Sequence, residues 1–273
     1  MSWALITGGS KGLGYSIAEA LGGRGYDILL LARNKEDLVS AKHRLESNWS
    51  IQVETFSIDL SLPGSAEEIG SWCRTQAFEI KILCNVAGLG GAKDFLSLPL
   101  SDLIRMVSVN FESPMSLTLS LIPILQKNAP SFILNVGSLA GFAPIPAKNI
   151  YSATKSALLF FSYSLRCQLK EKNISVSCLC PGPIFTKPAV EKETRKKLGW
   201  LGSQMAVEPA RVGEMAVRNT LKRKMLIIPG RLSTLISFVL RVMPARLLAR
   251  IFSESIRGDE KKRESQRKQT DQT

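Results

Sequence analysis

Short, almost wholly apolar runs punctuate this chain, separated by longer stretches in which apolar residues recur at helical spacing. The runs Ala4-Leu5-Ile6, Asp27 to Leu31, Ile51 to Phe56 with Ile58-Asp59-Leu60, Lys81 to Val86, Ser131 to Val136, Ser175 to Leu179 and Met225 to Ile228 read as strands. Most are unbroken apolar runs, as buried strands are. Helical spacing ends at Leu21, recurs in a charged amphipathic segment at 36–47, runs from Ser101 to about Leu125, and again from near Tyr151 to about Lys172. With 273 residues, 45% of them hydrophobic, the chain has core enough for one large α/β domain and a trailing appendix.

The N-terminus enters its first apolar run with no basic region or cleavage site ahead of it. That predicts a cytoplasmic body, or one on the cytoplasmic face of a membrane. The five cysteines, Cys73, Cys84, Cys167, Cys178 and Cys180, show no paired spacing, and His43 is the single histidine. No metal site is expected from that set, and the cysteines read as reduced, mostly buried fillers. Ser-His and Cys-His hydrolase mechanisms are removed as well, unless His43 serves from its charged helix. The formal charge of +13 is uneven: residues 215–252 hold eight Lys or Arg and no acid, which leaves +4 on the first 214 residues. Those arginines are interleaved with Leu, Ile, Val and Phe rather than stacking aromatics, so a lipid surface is expected and nucleic acid is not.

The first strand runs into Thr7-Gly8-Gly9-Ser10-Lys11-Gly12-Leu13-Gly14 and then a helix. Strand, glycine turn and helix are the context of a dinucleotide site, because glycine lets the backbone approach a pyrophosphate seated at the helix N-terminus. An NAD site puts an acid at the end of the second strand, but Ala32-Arg33-Asn34 stands there and Lys11 lies in the glycine turn. Two cations without an acid favour the 2′-phosphate of NADP(H); the alternative is two ordinary solvated charges. Asp59 takes an adenine amino group or caps a helix. Asn85-Val86-Ala87-Gly88 leaves room for a ligand at a strand's carboxyl end, or forms a plain tight turn. Asn110 sits among Met106, Val107, Val109 and Phe111, and is either a satisfied core amide or a site residue. Ser138 closes a strand thirteen residues before Tyr151, and Tyr151 and Lys155 share one helical face. An ammonium beside a phenol favours the phenolate and suits the pair to general acid/base work.

The ordered set Thr7-Gly8-x-x-x-Gly12-x-Gly14, Asp59, Asn85-x-Ala87-Gly88, Asn110, Ser138, Tyr151-x-x-x-Lys155 and Pro181-Gly182 resembles the short-chain dehydrogenase/reductase family over residues 3 to about 230. The resemblance implies a single Rossmann-like, doubly wound domain: a parallel sheet of about seven strands with helices on both faces and one nicotinamide site. It implies that Tyr151 donates a proton to a carbonyl oxygen and that Ser138 hydrogen-bonds that oxygen. Lys155 would bind the nicotinamide ribose and bias the phenol, and Asn110 would hold a water in the relay. Gly8, Ser10, Lys11, Gly12, Leu13, Gly14, Arg33, Asp59, Leu60, Asn85, Ala87, Gly88, Tyr151, Lys155, Pro181, Gly182, Ile184 and Thr186 form the implied cofactor set.

Residues 1–230 are thus expected to form the catalytic domain, with 187–206 as a mobile substrate lid or a rigid surface helix. Residues 231–256 form an apolar and basic appendix: its first apolar run, about twelve residues, is too short to span a bilayer, which needs ~20. Two amphipathic helices hinged at Pro244, with Arg231, Arg241, Arg246 and Arg250 at their margins, either contact a membrane through 231–252 or pack on protein. Residues 257–273 are polar and expected to be disordered. The basic apolar tail resembles the lipid-ketone branch of the family, which includes long-chain 3-oxoacyl, ketosphinganine and hydroxysteroid reductases. An NADPH-dependent reductase of a hydrophobic ketone follows, as a homo-dimer or tetramer. The competing reading, a non-catalytic NADP-binding scaffold or sensor at a membrane surface, has no use for the complete Asn110, Ser138, Tyr151 and Lys155 set.

Overall fold

Seven strands, all parallel, stand in the order β3-β2-β1-β4-β5-β6-β7 in the computed structural model, which describes residues 2–90, 95–183 and 208–254. They are β1 Trp3–Thr7, β2 Asp27–Ala32, β3 Val53–Ser57, β4 Ile80–Asn85, β5 Ser131–Val136, β6 Ile174–Leu179 and β7 Leu226–Ile227. Side chains alternate between two cores. Leu5, Leu29, Leu31, Leu83 and Ile133 point to one face, where α3 (Ser65–Thr75), α5 (Ser113–Lys127) and α6 (Asn149–Gln168) cover them. Ala4, Ile6, Ile28, Leu30 and Leu134 point to the other, under α1 (Gly12–Gly22), α2 (Lys35–Asn48) and α7 (Pro209–Leu221). Burial on both faces is why these strands read as continuous apolar runs. Strand order reverses between β1 and β4, so the crevice beyond their carboxyl ends is where an open α/β sheet binds ligands.

The single helix expected from Ser101 to Leu125 is two helices, α4 (Leu100–Val107) and α5, joined by a π-helical turn at Ser108–Glu112. Its cause is legible afterwards. Pro114 has no N–H to return to Asn110, so the α-helical ladder cannot close there, and Ser113 N donates to Ser108 O one residue further back. The wider turn drives Asn110 fully into the interior. The stretch Ile58-Asp59-Leu60 is loop rather than strand, and α6 begins at Asn149, two residues ahead of Tyr151. His43 is exposed on α2, and of the cysteines only Cys167 is exposed; none is disulfide-bonded. The lid at 187–206 and the tail at 257–273 lie outside the described residues. Beyond β7, α8 (Arg231–Val242) and a helix at 245–254, α9, pack beside α6.

Close backbone approach ties α1 to the glycine turn. A Cβ on Gly14 would fall 2.1 Å from Gly8 O and 2.7 Å from Gly8 C, and backbone atoms cannot swing aside as a side chain can. Gly14→Ala is therefore expected to cost about 1–3 kcal/mol, typical of overpacking. Thermal denaturation should register a drop of several degrees in Tm, and an unchanged Tm would mean that the turn yields.

Candidate active site

Thr7, the last residue of β1, fastens the two chains that meet at the switch point. Its Oγ1 accepts hydrogen bonds from Val86 N at 2.9 Å and Ala87 N at 3.1 Å, and donates to Cys84 O at 3.4 Å. Gly8 then turns with φ +67, and a Cβ there would fall 3.0 Å from Ala87 Cα. The result is a cavity of about 510 Å³ lined by Gly8, Ser10, Ala87 and Gly88 together with Arg33, Asp59 and Leu60. Gly12, Leu13 and Gly14 form the first turn of α1 beside it, where free N–H groups meet an anion. The glycine-backed wall and the helix N-terminus fit a dinucleotide pyrophosphate.

Several lining residues carry no motif. Asn34, Asp37, Arg105 and Val109 also line this cavity. Asn34 caps α2, its Oδ1 accepting from Asp37 N at 2.7 Å. The Asp37 carboxylate in turn pairs with Lys11 at 2.8 Å, so an acid does reach the Arg33 end of the cavity, from α2 rather than from the strand end. Arg105 on α4 meets Asp59 at 3.0 Å. Burial alone would raise the Asp59 carboxyl, but two hydrogen bonds from Ser61 and the Arg105 charge hold it below its ordinary range. Asp59 thus lines the cavity while capping its own loop; Gly64, not Asp59, stands at the start of α3.

Asn85 is turned away from the cavity. It is buried opposite Asn135 in the β4–β5 register, and its Nδ2 donates to Asn135 Oδ1 at 2.8 Å and Thr118 Oγ1 at 3.3 Å. Asn135 continues the chain to Ser162 Oγ at 2.9 Å. Asn110 does reach the site, through the main chain of the loop after β4. Its Oδ1 accepts from Leu89 N at 2.7 Å, and its Nδ2 donates to Leu89 O at 2.9 Å and to Thr154 Oγ1 at 3.2 Å. One buried amide therefore clamps residues 88–90 against α6, and it is occupied by protein partners. Gly88 is what makes room: a Cβ there would fall 3.4 Å from both Asn110 Oδ1 and Lys155 Nζ.

Ser138, Tyr151 and Lys155 come together beyond β5. The Ser138 hydroxyl is near enough to the Tyr151 phenol to favour its ionisation, and it accepts from Ala140 N at 3.1 Å. Lys155 is buried, its Nζ donating to Val136 O at 2.7 Å and sitting 5.9 Å from the Tyr151 ring centroid. Burial pushes the ammonium down to about 8, against the pull of nearby Cys178 and Cys180. Burial also pushes the Tyr151 phenol up, only partly offset by Ser138. That is opposite to the lowering expected from a neighbouring ammonium: Lys155 spends its hydrogen bond on Val136, and dehydration outweighs the help of Ser138. Leu98, Leu103, Met106 and Ile150 give apolar walls to a smaller cavity of about 180 Å³ that touches Tyr151. Pro181 accepts from Leu139 N at 3.0 Å and, with Gly182, closes the described end of β6; Ile184 and Thr186 lie outside the described residues.

A family model described as short chain dehydrogenase matches residues 2–197. A zebrafish protein, the very-long-chain 3-oxoacyl-CoA reductase-A of Danio rerio, is 31% identical over 205 residues, an alignment spanning 71% of this chain and 64% of the relative. Among solved structures, a short-chain dehydrogenase from Sphingobium yanoikuyae in complex with NADPH superposes with a TM-score of 0.74 at 25% identity, over 89% of this chain and 97% of that one. A 7beta-hydroxysteroid dehydrogenase shares the fold with a TM-score of 0.81 at 18% identity, over 92% and 96%. Matched over more than half its length by that model, and carrying the glycine turn, the serine and the tyrosine–lysine helix in one crevice, the chain belongs to the short chain dehydrogenase family of oxidoreductases.

Proposed function

We propose that the protein is an NADPH-dependent reductase of a hydrophobic ketone, a long-chain 3-oxoacyl, ketosphinganine or steroid-like compound, met at a membrane surface. The observation that carries this reading is the hydroxyl pair of Ser138 and Tyr151, beside the buried Lys155 ammonium and between the dinucleotide cavity and the apolar one. When bound, the nicotinamide supplies a hydride for the carbonyl carbon. Tyr151 passes its phenolic proton to the carbonyl oxygen, and its phenolate is then reprotonated from solvent. Ser138 donates a hydrogen bond to the same oxygen, where negative charge develops. Lys155 contributes a fixed positive charge behind the tyrosine, and Asn110 acts as a positioning residue that holds Leu89 and α6 together. Burial keeps the phenol protonated at neutral pH, the form from which a reduction draws its proton.

The small cavity's Leu98, Leu103, Met106 and Ile150 support an apolar substrate, and the 31% identity with a very-long-chain 3-oxoacyl-CoA reductase supports an acyl one. For the cofactor, Arg33 in the cavity wall supports a 2′-phosphate, with Lys11 available when it leaves Asp37.

NADPH oxidation with a panel of long-chain and polycyclic ketones tests the reading. Wild type is expected to turn over, and Tyr151→Phe to lose about 10²-fold or more in kcat, in line with general acid catalysis. Equal turnover by the variant removes the assigned role, and tight NADPH binding without turnover on any ketone leaves the scaffold. The alkaline limb of kcat/KM should fall as pH rises through about 8, where Lys155 loses its charge while Tyr151 is still protonated; a flat profile to pH 9 contradicts this. Arg33→Asp should raise the KM for NADPH at least ten-fold more than that for NADH, whereas parallel rises would place the 2′-phosphate elsewhere.

A further inference from the structure

Helix α8 carries apolar side chains on two sides, and packing on its own domain accounts for only one of them. The side it turns to the protein carries Ser233 and Ser237, 1% and 2% exposed, with Ile236 and Leu240 half-buried beside them. The side it turns to solvent carries Leu235, Phe238, Val239 and Val242, and Leu235, Phe238 and Val242 are 61%, 57% and 69% exposed. These four positions have i, i+3, i+4, i+7 spacing and so form a single stripe. The inward serines lie directly across the helix from it. After Pro244, α9 extends the exposed stripe: Leu248 is buried against the protein, but Leu247 and Ile251 are exposed one turn apart. A contiguous apolar face of this kind on the outside of a folded chain is a contact surface.

Its margins identify the partner. Arg231, Arg246 and Arg250 are exposed around the stripe, Arg241 is exposed over the Phe142 ring on the groove side, and no acid occurs between 215 and 252. Glu254, the nearest acid, is spent on Arg250 at 3.0 Å. A two-fold contact between copies would set this all-cationic rim against itself, whereas an anionic bilayer would complement it. Neither helix is long and apolar enough to cross a membrane, so the contact is one that lies in the interface.

We infer that α8 and α9 seat the protein on an anionic phospholipid surface, with Leu235, Phe238, Val239, Val242, Leu247 and Ile251 inserted and the arginines at headgroup level. This deepens the membrane-surface reading above, and it stands apart from the chemistry at Tyr151. The pair's other side gives the docking a use. Leu240, Met243 and Leu248 line, with Phe142, Phe160 and Tyr163, an apolar groove of about 710 Å³ against the catalytic helix α6. Seating the outer stripe in lipid brings that groove to the bilayer edge, where acyl chains are.

Flotation of the full-length protein with vesicles of phosphatidylcholine and phosphatidylserine (7:3), and of phosphatidylcholine alone, tests the inference. Wild type is expected to float with the anionic vesicles, to lose most binding on the neutral ones or in high salt, and Phe238→Ser/Val242→Ser to float at least ten-fold less. The double variant should keep the wild-type melting curve and its turnover of a water-soluble ketone in the absence of vesicles, because neither residue touches the site. Failure of wild type to float, equal flotation by the double variant, or equal flotation on neutral vesicles overturns the inference. So does a concentration-dependent dimer abolished by the double variant, which would identify a second copy as the occupant. The soluble-ketone assay in the same samples reports separately on the reductase reading.

Discussion

A single buried amide, that of Asn110, is the constraint on which the rest of the site depends. It has no exposure and three protein hydrogen bonds, two to the main chain of Leu89 and one to Thr154. Leu89 belongs to the loop that walls the dinucleotide cavity, and Thr154 lies between Tyr151 and Lys155 on α6. The amide therefore sets the distance between the place where a cofactor fits and the tyrosine–lysine turn of α6. Leaving such a group unpaired costs about 1–3 kcal/mol, which favours this position of the loop over any that frees the amide. The π turn is what delivers the side chain, and Pro114 is what keeps that turn from relaxing into regular helix.

Dehydration then tunes the two titrating groups in opposite senses. The same burial that pushes the Lys155 ammonium down to about 8 pushes the Tyr151 phenol up. Each shift disfavours a charged form, as a low-dielectric pocket must. Near neutral pH the outcome is a protonated phenol with a cation at its back, the state that the proposed reduction requires of Tyr151. The position of Lys155 is itself inherited from the sheet, since the carbonyl that receives its hydrogen bond belongs to Val136 at the end of β5.

Where backbone demands were simple, the chain was readable residue by residue. Unbroken apolar runs marked buried strands, and the glycine turn marked the place where β1 hands over to α1. The serine, tyrosine and lysine met because strand ends and helix starts converge on one edge of the sheet. What escaped depended on contacts distant in sequence. Arg105 reaches Asp59 across 46 positions, with no local pattern to announce it. Asp37 returns an acid to the Arg33 end of the cavity from the next helix, and Asn85 proves to be bonded within the sheet although it sits in the motif. The direction of the Tyr151 shift was also beyond reach, because spacing places an ammonium near a phenol but does not tell how much water either has lost. The appendix was legible as apolar and basic, yet which face looks outward emerged only once Ser233 and Ser237 were seen to be inside.

If Asn110 holds Leu89 in place ahead of any ligand, the amide proton of Leu89 must be protected in the free protein. Hydrogen exchange of that amide, measured without cofactor in wild type and in Asn110→Leu, examines this most directly. The account predicts slow exchange in wild type, and exchange at least a hundred-fold faster in the variant while the amides of β4 and β5 keep their protection. Fast exchange at Leu89 in the wild-type protein would contradict it.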